Sequence, residues 1–321
     1  MGRDLRALPK AHLHVHLEST LRPDTLAELG GTPPPPRFDG FAAFAAHNAA
    51  VRNCLRSAAD FARVAYEFCA DSAADGVRYA EVTVTVAAHA ARLGVPPAVP
   101  LDGVLSGLRA GMRDHPIVVR VLVDHSRRRP LSWAAASVDL AARTPEVVAF
   151  GLAGDEATPL ESYADLIADT PSVPMVHHAG ETAGPASVRE AIGPGRATRI
   201  GHGFRALEDP AVIALLRDRG IPIEVCPSSN VALGLVPSLR AHPLPALAEA
   251  GLVLTLNTDI PAVAGVSLTD EYESVRTIFG WSDAELAALA VAGVEAGFAP
   301  PAVKEELRAD IESWIRGSAP S

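Results

Sequence analysis

Two histidines near the N-terminus, His14 and His16, are spaced two residues apart and are followed by Glu18. They end a short apolar run that is typical of a β-strand. Alternate residues of a strand point to the same face, so both imidazoles would lie within reach of one metal ion. A single buried histidine is usually a core residue, and this pair alone only suggests a metal site.

Three further polar clusters follow short apolar runs of the same kind. His178 ends the fifth run and Glu181 follows it, His202 ends the sixth, and Asp259 follows the eighth. Active sites of parallel barrels assemble at the carboxyl ends of the strands, and chance does not easily place such groups at four strand ends. The pattern therefore predicts one site that contains all of these residues.

Several imidazoles together with one carboxylate suit a zinc ion, which binds histidine nitrogen and aspartate oxygen at about 2.0–2.2 Å. The three cysteines, Cys54, Cys69 and Cys226, include no Cys-x-x-Cys pair. The absence of thiolate ligands separates this site from structural zinc sites and from catalytic zinc sites that are built on such a pair.

Eight short β-branched runs predict eight strands, and stretches of helical length lie between most of them. Strand alternating with helix predicts a parallel sheet, and eight alternations favour a closed (β/α)8 TIM barrel. An open doubly wound sheet is the alternative, although no Gly-x-Gly-x-x-Gly turn follows the first strand. The predicted strands are 11–17, 77–85, 117–124, 147–152, 173–178, 198–202, 222–226 and 252–258.

One long connection, residues 18–76, interrupts the alternation and is too long for a single crossover. After the proline run 33–36 it shows helical periodicity, so we expect a helical insertion over the barrel mouth, either a moving lid or a fixed cap. With extra C-terminal helices, residues 1–321 would form a single domain. The predicted helices of these two regions are 41–53, 58–70, 268–280, 283–296 and 302–316.

The composition restricts the function classes. The chain has 321 residues, of which 48% are hydrophobic, and a formal net charge of −10, which disfavours non-specific binding to nucleic acid or to an anionic membrane. No transmembrane run and no secretory signal is recognisable. Three cysteines form no disulfide framework. We therefore expect a cytoplasmic enzyme with a small-molecule substrate, while the oligomeric state is undetermined.

Six short segments contain the polar residues described above. They are residues 9–17 (PKAHLHVHL), 152–156 (LAGDE), 178–181 (HAGE), 199–203 (RIGHG), 226–230 (CPSSN) and 257–259 (NTD). These segments resemble, in the same order, the motifs of the adenosine deaminase family of the amidohydrolase superfamily. The resemblance extends over most of the chain and is highly specific. It implies a TIM barrel, one zinc ion and hydrolytic deamination of a 6-aminopurine nucleoside.

The resemblance also implies a role for each site residue. The residues that match the zinc ligands are His14, His16, His178 and Asp259. Glu181 matches the acid that protonates the purine ring nitrogen beside the carbon under attack, and His202 matches the residue that takes a proton from the attacking water. Gly154 matches a backbone donor to another purine nitrogen. Glu18 lies where the family has an acidic residue near the ribose.

The sequence departs from the family pattern at Ile260. The family usually has a second aspartate there, which bonds the imidazole-ring nitrogen of adenine. Isoleucine cannot form that bond, and an unpaired buried polar atom costs about 1–3 kcal/mol. Ser19 also replaces a glycine, and Gly151 replaces a frequent aspartate. These changes leave the hydrolytic residues intact and affect the prediction of the substrate.

Three other functions stay open. One class of relatives deaminates aminodeoxyfutalosine, an adenosine derivative extended at the 5′ position, in a menaquinone pathway. A different amidohydrolase reaction is the second, but many such enzymes bridge two metals with a carboxylated lysine, and no lysine lies near the ends of the predicted middle strands. The third is a nucleoside-binding protein without turnover, against which the Glu181 and His202 pair argues.

Other polar residues near the predicted strand ends have less specific interpretations. For Asp124 and His125, a substrate contact and a structural role are equally open. His177 faces away from His178 in a regular strand, which favours a structural role. The residues without an expected catalytic role are His12 in the core or behind the site, Glu81 and His89 at the mouth, and 228–230 within their own loop. The charge run 127–129 is expected in solvent, with contact to an anionic substrate tail as the alternative.

Overall fold

The computed structural model describes residues 2–35, 38 and 40–317, so Pro36 of the proline run lies outside the described residues. Its centre is a parallel eight-stranded sheet in which each strand pairs with the next along the chain. The strands are β1 Lys10–His16, β2 Val77–Val84, β3 Val118–Ser126, β4 Val147–Ala153, β5 Met175–Ala179, β6 Ala197–His202, β7 Ile223–Val225 and β8 Leu254–Leu256. All eight overlap the predicted strands.

The sheet closes between β8 and β1 through backbone hydrogen bonds. The N–H of Asp259 donates to the His14 carbonyl, and the N–H of His16 donates to the Asp259 carbonyl, both at 2.9 Å. The side-chain oxygen of Asn257 accepts the N–H groups of Leu13 and His14 at 2.7 and 3.0 Å. The predicted (β/α)8 barrel is therefore confirmed, and the open sheet is wrong.

Helices form the outer layer of the barrel and extend it at the C-terminus, as predicted. Among the described residues, three helices begin with capping boxes. The Oγ of Ser57, Ser267 or Ser282 accepts the backbone N–H three residues later, and the carboxylate of that later residue accepts the backbone N–H of the serine. The helices are α1 Pro23–Glu28, α2 Gly40–Cys54, α3 Ala58–Ala74, α4 Val86–Leu93, α5 Ala98–Asp114, α6 Leu131–Arg143, α7 Ala164–Ala168, α8 Pro185–Ile192, α9 Pro210–Arg219, α10 Pro227–Ala232, α11 Leu244–Glu249, α12 Pro261–Ala264, α13 Leu268–Phe279, α14 Asp283–Ala296 and α15 Pro301–Arg316. Within the described ranges, no helix is both long enough and apolar enough to cross a bilayer.

The connection 18–76 has two parts in different positions. Helix α2 lies at the barrel mouth, where Phe44 and Arg52 line a cavity. Helix α3 packs in the outer layer against α5, and an added Cβ at Gly107 would lie only 2.0 Å from the Ala62 carbonyl oxygen. Only the first part of the connection therefore covers the mouth. The second part, α3, buries its apolar face against α5 in the outer layer.

The link after α14 fills the bottom of the barrel. Phe298 packs against Leu122, Ala149 and Val176, which belong to three neighbouring strands. Helix α14 itself packs against β1 and β8, beside the closure of the sheet. The C-terminal helices therefore support the two strands whose ends carry His14, His16 and Asp259.

Candidate metal and acid-base site

A cavity of about 410 Å³ opens at the carboxyl ends of the strands and is bordered by α2. The predicted site residues that line it are His16, Glu18, Gly154, His178, Glu181, His202 and Asp259. His14 is buried beside them, with its ring centroid 4.6 Å from that of His178. The fold thus brings together all eight residues that the sequence singles out.

Four of these side chains bring their donor atoms together. One ligand atom from each of His14, His16, His178 and Asp259 lies within 4.8 Å of the others. Asp259 Oδ1 is 3.5 Å from Nε2 of His14 and 3.3 Å from Nε2 of His16. Burial lowers the pKa of His178 well below its usual value, so this ring is neutral, as a metal ligand must be.

Asp259 is ionised and fixed in orientation. Burial alone would raise its pKa, but the nearby imidazoles of His14, His202 and His16 hold the pKa of Asp259 well below its ordinary value. Ser229 donates from Oγ to Asp259 Oδ2 at 2.6 Å, which leaves Oδ1 toward the histidines. For Ser229 the sequence predicts only bonds within its own loop, so this contact was missed.

A buried series of charged groups runs from His14 toward the bottom of the barrel. The Nδ1–H of His14 donates to Glu224 at 2.8 Å, and a carboxylate in this position fixes the tautomer and orientation of a ligating histidine. Arg199 donates to Glu224 at 2.6 Å and also to Glu81. Its guanidinium lies 4.4 Å from the centroid of the Phe298 ring.

This ion-pair network corrects the interpretation of Glu81 as a mouth-lining residue, because the side chain is fully buried below the site. The sequence does contain a signal for this network. Glu81, Arg199 and Glu224 are charged residues inside apolar strands, where an unpaired charge is costly. Opposite charges in such strands indicate that the side chains pair across the barrel.

The loop after β5 places Glu181 at the edge of the donor cluster. Glu156 organises this loop, because its carboxylate accepts the backbone N–H groups of Gly180, Glu181 and Thr182 at 2.7 to 2.9 Å. Within the described part of the chain, Glu181 Oε1 is buried without a hydrogen-bond partner. Burial raises the pKa of Glu181 well above its ordinary value, which favours the protonated acid.

His202 faces Glu181 in the same part of the cavity. Its Nε2 lies 3.6 Å from Glu181 Oε1, and its Nδ1 is 3.5 Å from the Asn230 amide nitrogen. Burial and the neighbouring His14 lower the pKa of His202 to about 3, so the ring is neutral and can accept a proton. Two neighbouring groups with pKa values shifted in opposite directions are typical of an acid-base site.

Glu18 and Gly154 form other parts of the wall. Glu18 Oε1 accepts hydrogen bonds from Thr85 Oγ1 at 2.9 Å and from His89 Nε2 at 2.7 Å. Burial alone would raise the pKa of Glu18, but the hydrogen bond and charge of His89 lower this pKa to about 2. The carboxylate therefore stays charged. Gly154 has a left-handed backbone with φ at 86°, a conformation that favours glycine.

The residue that follows Asp259 gives the cavity an apolar side. Ile260 is buried and packs with Phe44 of α2 and Leu233 after α10. All three side chains line the cavity. The wall has no hydrogen-bonding side chain at Ile260, the position where the family pattern has its second aspartate.

The two polar residues at the end of β3 have different surroundings. His125 is buried beside Tyr163, with ring centroids 5.8 Å apart. Asp124 lines the cavity and is 2% exposed. Burial raises the pKa of Asp124 to about 6.

Two residues near β5 have structural contacts. His177 accepts a backbone N–H at Nδ1 and donates from Nε2 to the Gly195 carbonyl, which confirms that it faces away from His178. Arg127 is 3% exposed and donates to the His178 carbonyl at 2.5 Å. The expectation that Arg127 lies in solvent is wrong, because its guanidinium supplies a hydrogen bond to this carbonyl near the end of the strand.

A second cavity, of about 450 Å³, adjoins the first at Arg52, which lines both. Arg92, Arg129 and Trp133 also line it, and the Arg129 guanidinium lies 5.9 Å from the centroid of the Trp133 ring. In residues 2–35, 38 and 40–317 no carboxylate oxygen comes within 4.0 Å of these three guanidinium groups. The wall is therefore positive, although the whole chain has a net charge of −10.

Comparison with known proteins identifies the family. The adenosine deaminase family model matches residues 36–314. A Streptomyces coelicolor protein named "Putative adenosine/adenine deaminase" is 37% identical, covering 98% of each chain. Another protein of that organism, named "Aminodeoxyfutalosine deaminase", is 35% identical, covering 97% of this chain and 87% of its own.

Solved structures share the whole fold. The adenine deaminase from Arthrobacter aurescens has a TM-score of 0.90 at 28% identity, covering 96% of this chain and 99% of its own. An amidohydrolase from Burkhoderia ambifaria with bound Zn has a TM-score of 0.86 at 26% identity, covering 98% and 93%. The chain belongs to the adenosine deaminase family of hydrolases.

Proposed function

We propose that this protein catalyses the zinc-dependent hydrolytic deamination of a 6-aminopurine nucleoside, adenosine or a modified adenosine, to the 6-oxo product and ammonia. The observation that carries the proposal is the placement of a buried acid, Glu181, and a neutral base, His202, beside four metal-ligand side chains in one cavity. The names of the relatives support an aminopurine substrate.

The donor set supports a single zinc ion. The proposed ligands are His14, His16, His178 and Asp259. Three imidazoles and one carboxylate suit zinc, and His14 Nε2 is buried without a hydrogen-bond partner among the described residues. Bound there, zinc would supply a water that is acidic enough to act as a nucleophile near neutral pH.

A reaction that uses two metals bridged by a carboxylated lysine finds no support. The chain has two lysines, Lys10 and Lys304. Lys10 is buried at the start of β1 and donates to the carbonyls of Leu5 and Leu8. Lys304 in α15 donates to the Glu295 carbonyl. Both contacts lie away from the strand ends that carry the four donors.

Glu181 and His202 divide the proton transfers in the proposed reaction. His202 accepts a proton from the attacking water, whose oxygen forms a bond to C6 of the purine. Glu181 donates its proton to the adjacent ring nitrogen, N1, where negative charge would otherwise develop. The bond between C6 and the amino nitrogen then breaks, and the proton held by His202 leaves with ammonia. The remaining hydroxyl proton on the C6 oxygen passes to the Glu181 carboxylate, which leaves the 6-oxo product and restores the acid. Each positioned proton transfer typically contributes about 10²–10⁴-fold.

Gly154 and Glu18 would bind the rest of the substrate. The backbone N–H of Gly154 is proposed to donate to N3 of the purine, and the ionised Glu18 to accept a ribose hydroxyl. Ile260 provides an apolar contact on the imidazole side of the ring. Because no acceptor or donor is available at Ile260, we expect N7 to contribute little to recognition by this wall.

A second candidate, deamination of aminodeoxyfutalosine, is favoured by the positive second cavity. A substrate extended at the 5′ position with an anionic group could reach from the first cavity past Arg52 to Arg92 and Arg129. Trp133 lines the same cavity and adds an aromatic side chain to its wall. The relative with that name is 35% identical to this chain.

A substrate panel with metal analysis on the same sample tests both candidates. Ammonia release is measured with adenosine, adenine, 7-deazaadenosine, adenosine 5′-monophosphate and aminodeoxyfutalosine. We expect turnover of at least one nucleoside. The second candidate is favoured if kcat/KM is higher for aminodeoxyfutalosine than for adenosine and if Arg52→Ala and Arg92→Ala each remove this difference. Absence of ammonia release from every member contradicts the proposed function.

A further inference from the structure

Asp124 is a buried carboxylate that the proposed chemistry does not use. It lies near the carboxyl end of β3 and lines the first cavity, and its side chain is almost completely enclosed. Oδ1 has no hydrogen-bond partner among the described residues. A buried carboxylate without a partner destabilises a fold, so a structural role does not account for it.

The surroundings of Asp124 do not neutralise its charge. The charged and titratable groups with the largest electrostatic effect on the pKa of Asp124 are His16, Glu18 and Arg52. All three line the same cavity. In the part of the chain that the structure describes, no cationic nitrogen comes within 4.0 Å of its oxygens. Its partner on β4 is Gly151, which offers no side chain. The carboxylate therefore faces space that a ligand can occupy.

The order of the strands places Asp124 relative to a bound purine, and this step rests on the proposed function. Glu181 follows β5, Gly154 follows β4 and Asp124 lies near the carboxyl end of β3. These three strands are neighbours. In a 6-aminopurine, N1, N3 and N9 follow one another along one edge of the ring system. With N1 at Glu181 and N3 at Gly154, the N9 side faces Asp124.

We propose that Asp124 is a specificity-determining residue that accepts a hydrogen bond from a donor on the N9 side of the substrate. Two donors have this chemistry: the N9–H of a free purine base and a ribose hydroxyl of a nucleoside. They lie at different distances from the ring. The position of the carboxylate thus contributes to selection between a base and a nucleoside.

A cycle of variants and substrates tests this role. We compare wild type, Asp124→Ala and Asp124→Asn, with the exposed Asp102→Ala on α5 as the control. The substrates are adenine, 9-methyladenine, adenosine, 2′-deoxyadenosine and 3′-deoxyadenosine. Asp124→Ala is expected to lower kcat/KM about 10- to 100-fold for the substrate that carries the donor. It should leave the matched analogue without that donor unchanged.

The outcomes separate the two donors. If Asp124→Ala lowers kcat/KM for adenine but not for 9-methyladenine, the donor is the N9–H. If it lowers kcat/KM for adenosine but not for one of the deoxyadenosines, the donor is the hydroxyl that this deoxyadenosine lacks. Asp124→Asn keeps one acceptor oxygen and should lose less than Asp124→Ala. Equal losses on all substrates, or no loss on any, overturn the proposal.

Two further measurements keep the test decisive. Removal of an unpaired buried carboxylate should preserve or raise Tm, so a lowered Tm in both variants indicates a structural role and overturns the proposal. If wild type releases no ammonia from any substrate, the proposed function fails. The same cycle is then measured by equilibrium binding of the five compounds. Coupling in binding supports the role of Asp124, and its absence overturns it.

Discussion

The site depends on single residues whose protonation is set by burial and by their neighbours. Burial raises the pKa of Glu181, so this carboxyl favours its protonated form beside the neutral imidazole of His202. Asp259 is buried equally deeply, but its contacts with histidines hold its pKa low. Two carboxyls in one cavity thus differ in protonation because their partners differ, as required for an acid beside a metal ligand.

Replacement of Glu181 by glutamine tests its role as the acid. Glutamine keeps the size and hydrogen bonding of the side chain but has no acidic proton. We expect kcat/KM of Glu181→Gln to fall by at least about 100-fold, with zinc content and Tm unchanged. The exposed Glu305→Gln in α15 is the matched control and should keep full activity. Activity of Glu181→Gln near the wild-type value would show that another group supplies the proton.

The residues that project into the cavity could be predicted from the sequence, whereas the residues that hold them in place could not. His14 lies in an apolar strand, and Glu181 and Asp259 follow such strands, so their positions could be predicted from the strand pattern. Glu224 and Ser229 contact His14 and Asp259 through side chains that are far apart in sequence. Such contacts depend on strand register and side-chain direction, which a single sequence does not specify.

At the scale of elements, eight strand ends and a few loops position the chemistry. The predicted strands agree with the observed ones because each is an apolar run that ends in polar residues. The position of α3 was not predictable from its own periodicity. An amphipathic helix shows that it needs a partner, but only the close contact at Gly107 and Ala62 shows that the partner is α5.

Helix α13 fixes the loop after β7 through a buried carboxyl. Glu271 is fully buried, and its Oε1 accepts the N–H of Ser228 at 3.0 Å. The next residue, Ser229, contacts Asp259. Burial raises the pKa of Glu271 to about 8, whereas a glutamate in the unfolded chain titrates near its ordinary value, about 4.3.

This shift predicts the direction of a pH effect on stability. Between about pH 4.3 and 8 the folded state binds the Glu271 proton and the unfolded state does not, so the contribution to stability is present at low pH and is lost as the pH rises. From pH 5 to 8, wild type should lose more free energy of unfolding than Glu271→Gln, by on the order of 1 kcal/mol or more. Urea unfolding at a fixed zinc concentration measures how steeply the free energy of unfolding changes with pH in wild type and in Glu271→Gln. The exposed Glu305→Gln is the control. Identical slopes would contradict a raised pKa at Glu271.

At the scale of the whole molecule, the closure of the barrel and the donor cluster are one feature. The backbone of Asp259 bonds both His14 and His16 to join β8 to β1, while the three side chains meet inside the cavity. Helix α14 supports both strands from outside. A change that opens this seam would therefore also separate the proposed metal ligands.

Zinc titration of the whole protein is the most direct test of the central claim, a hydrolytic deaminase with one zinc ion. The chain is freed of metal with a chelator, zinc is added in measured amounts, and ammonia release is followed with the best substrate of the panel. We predict no activity without metal, a linear rise with added zinc, and a plateau at one zinc ion per chain. Full activity in metal-free protein, or a plateau only at two ions per chain, would contradict the claim.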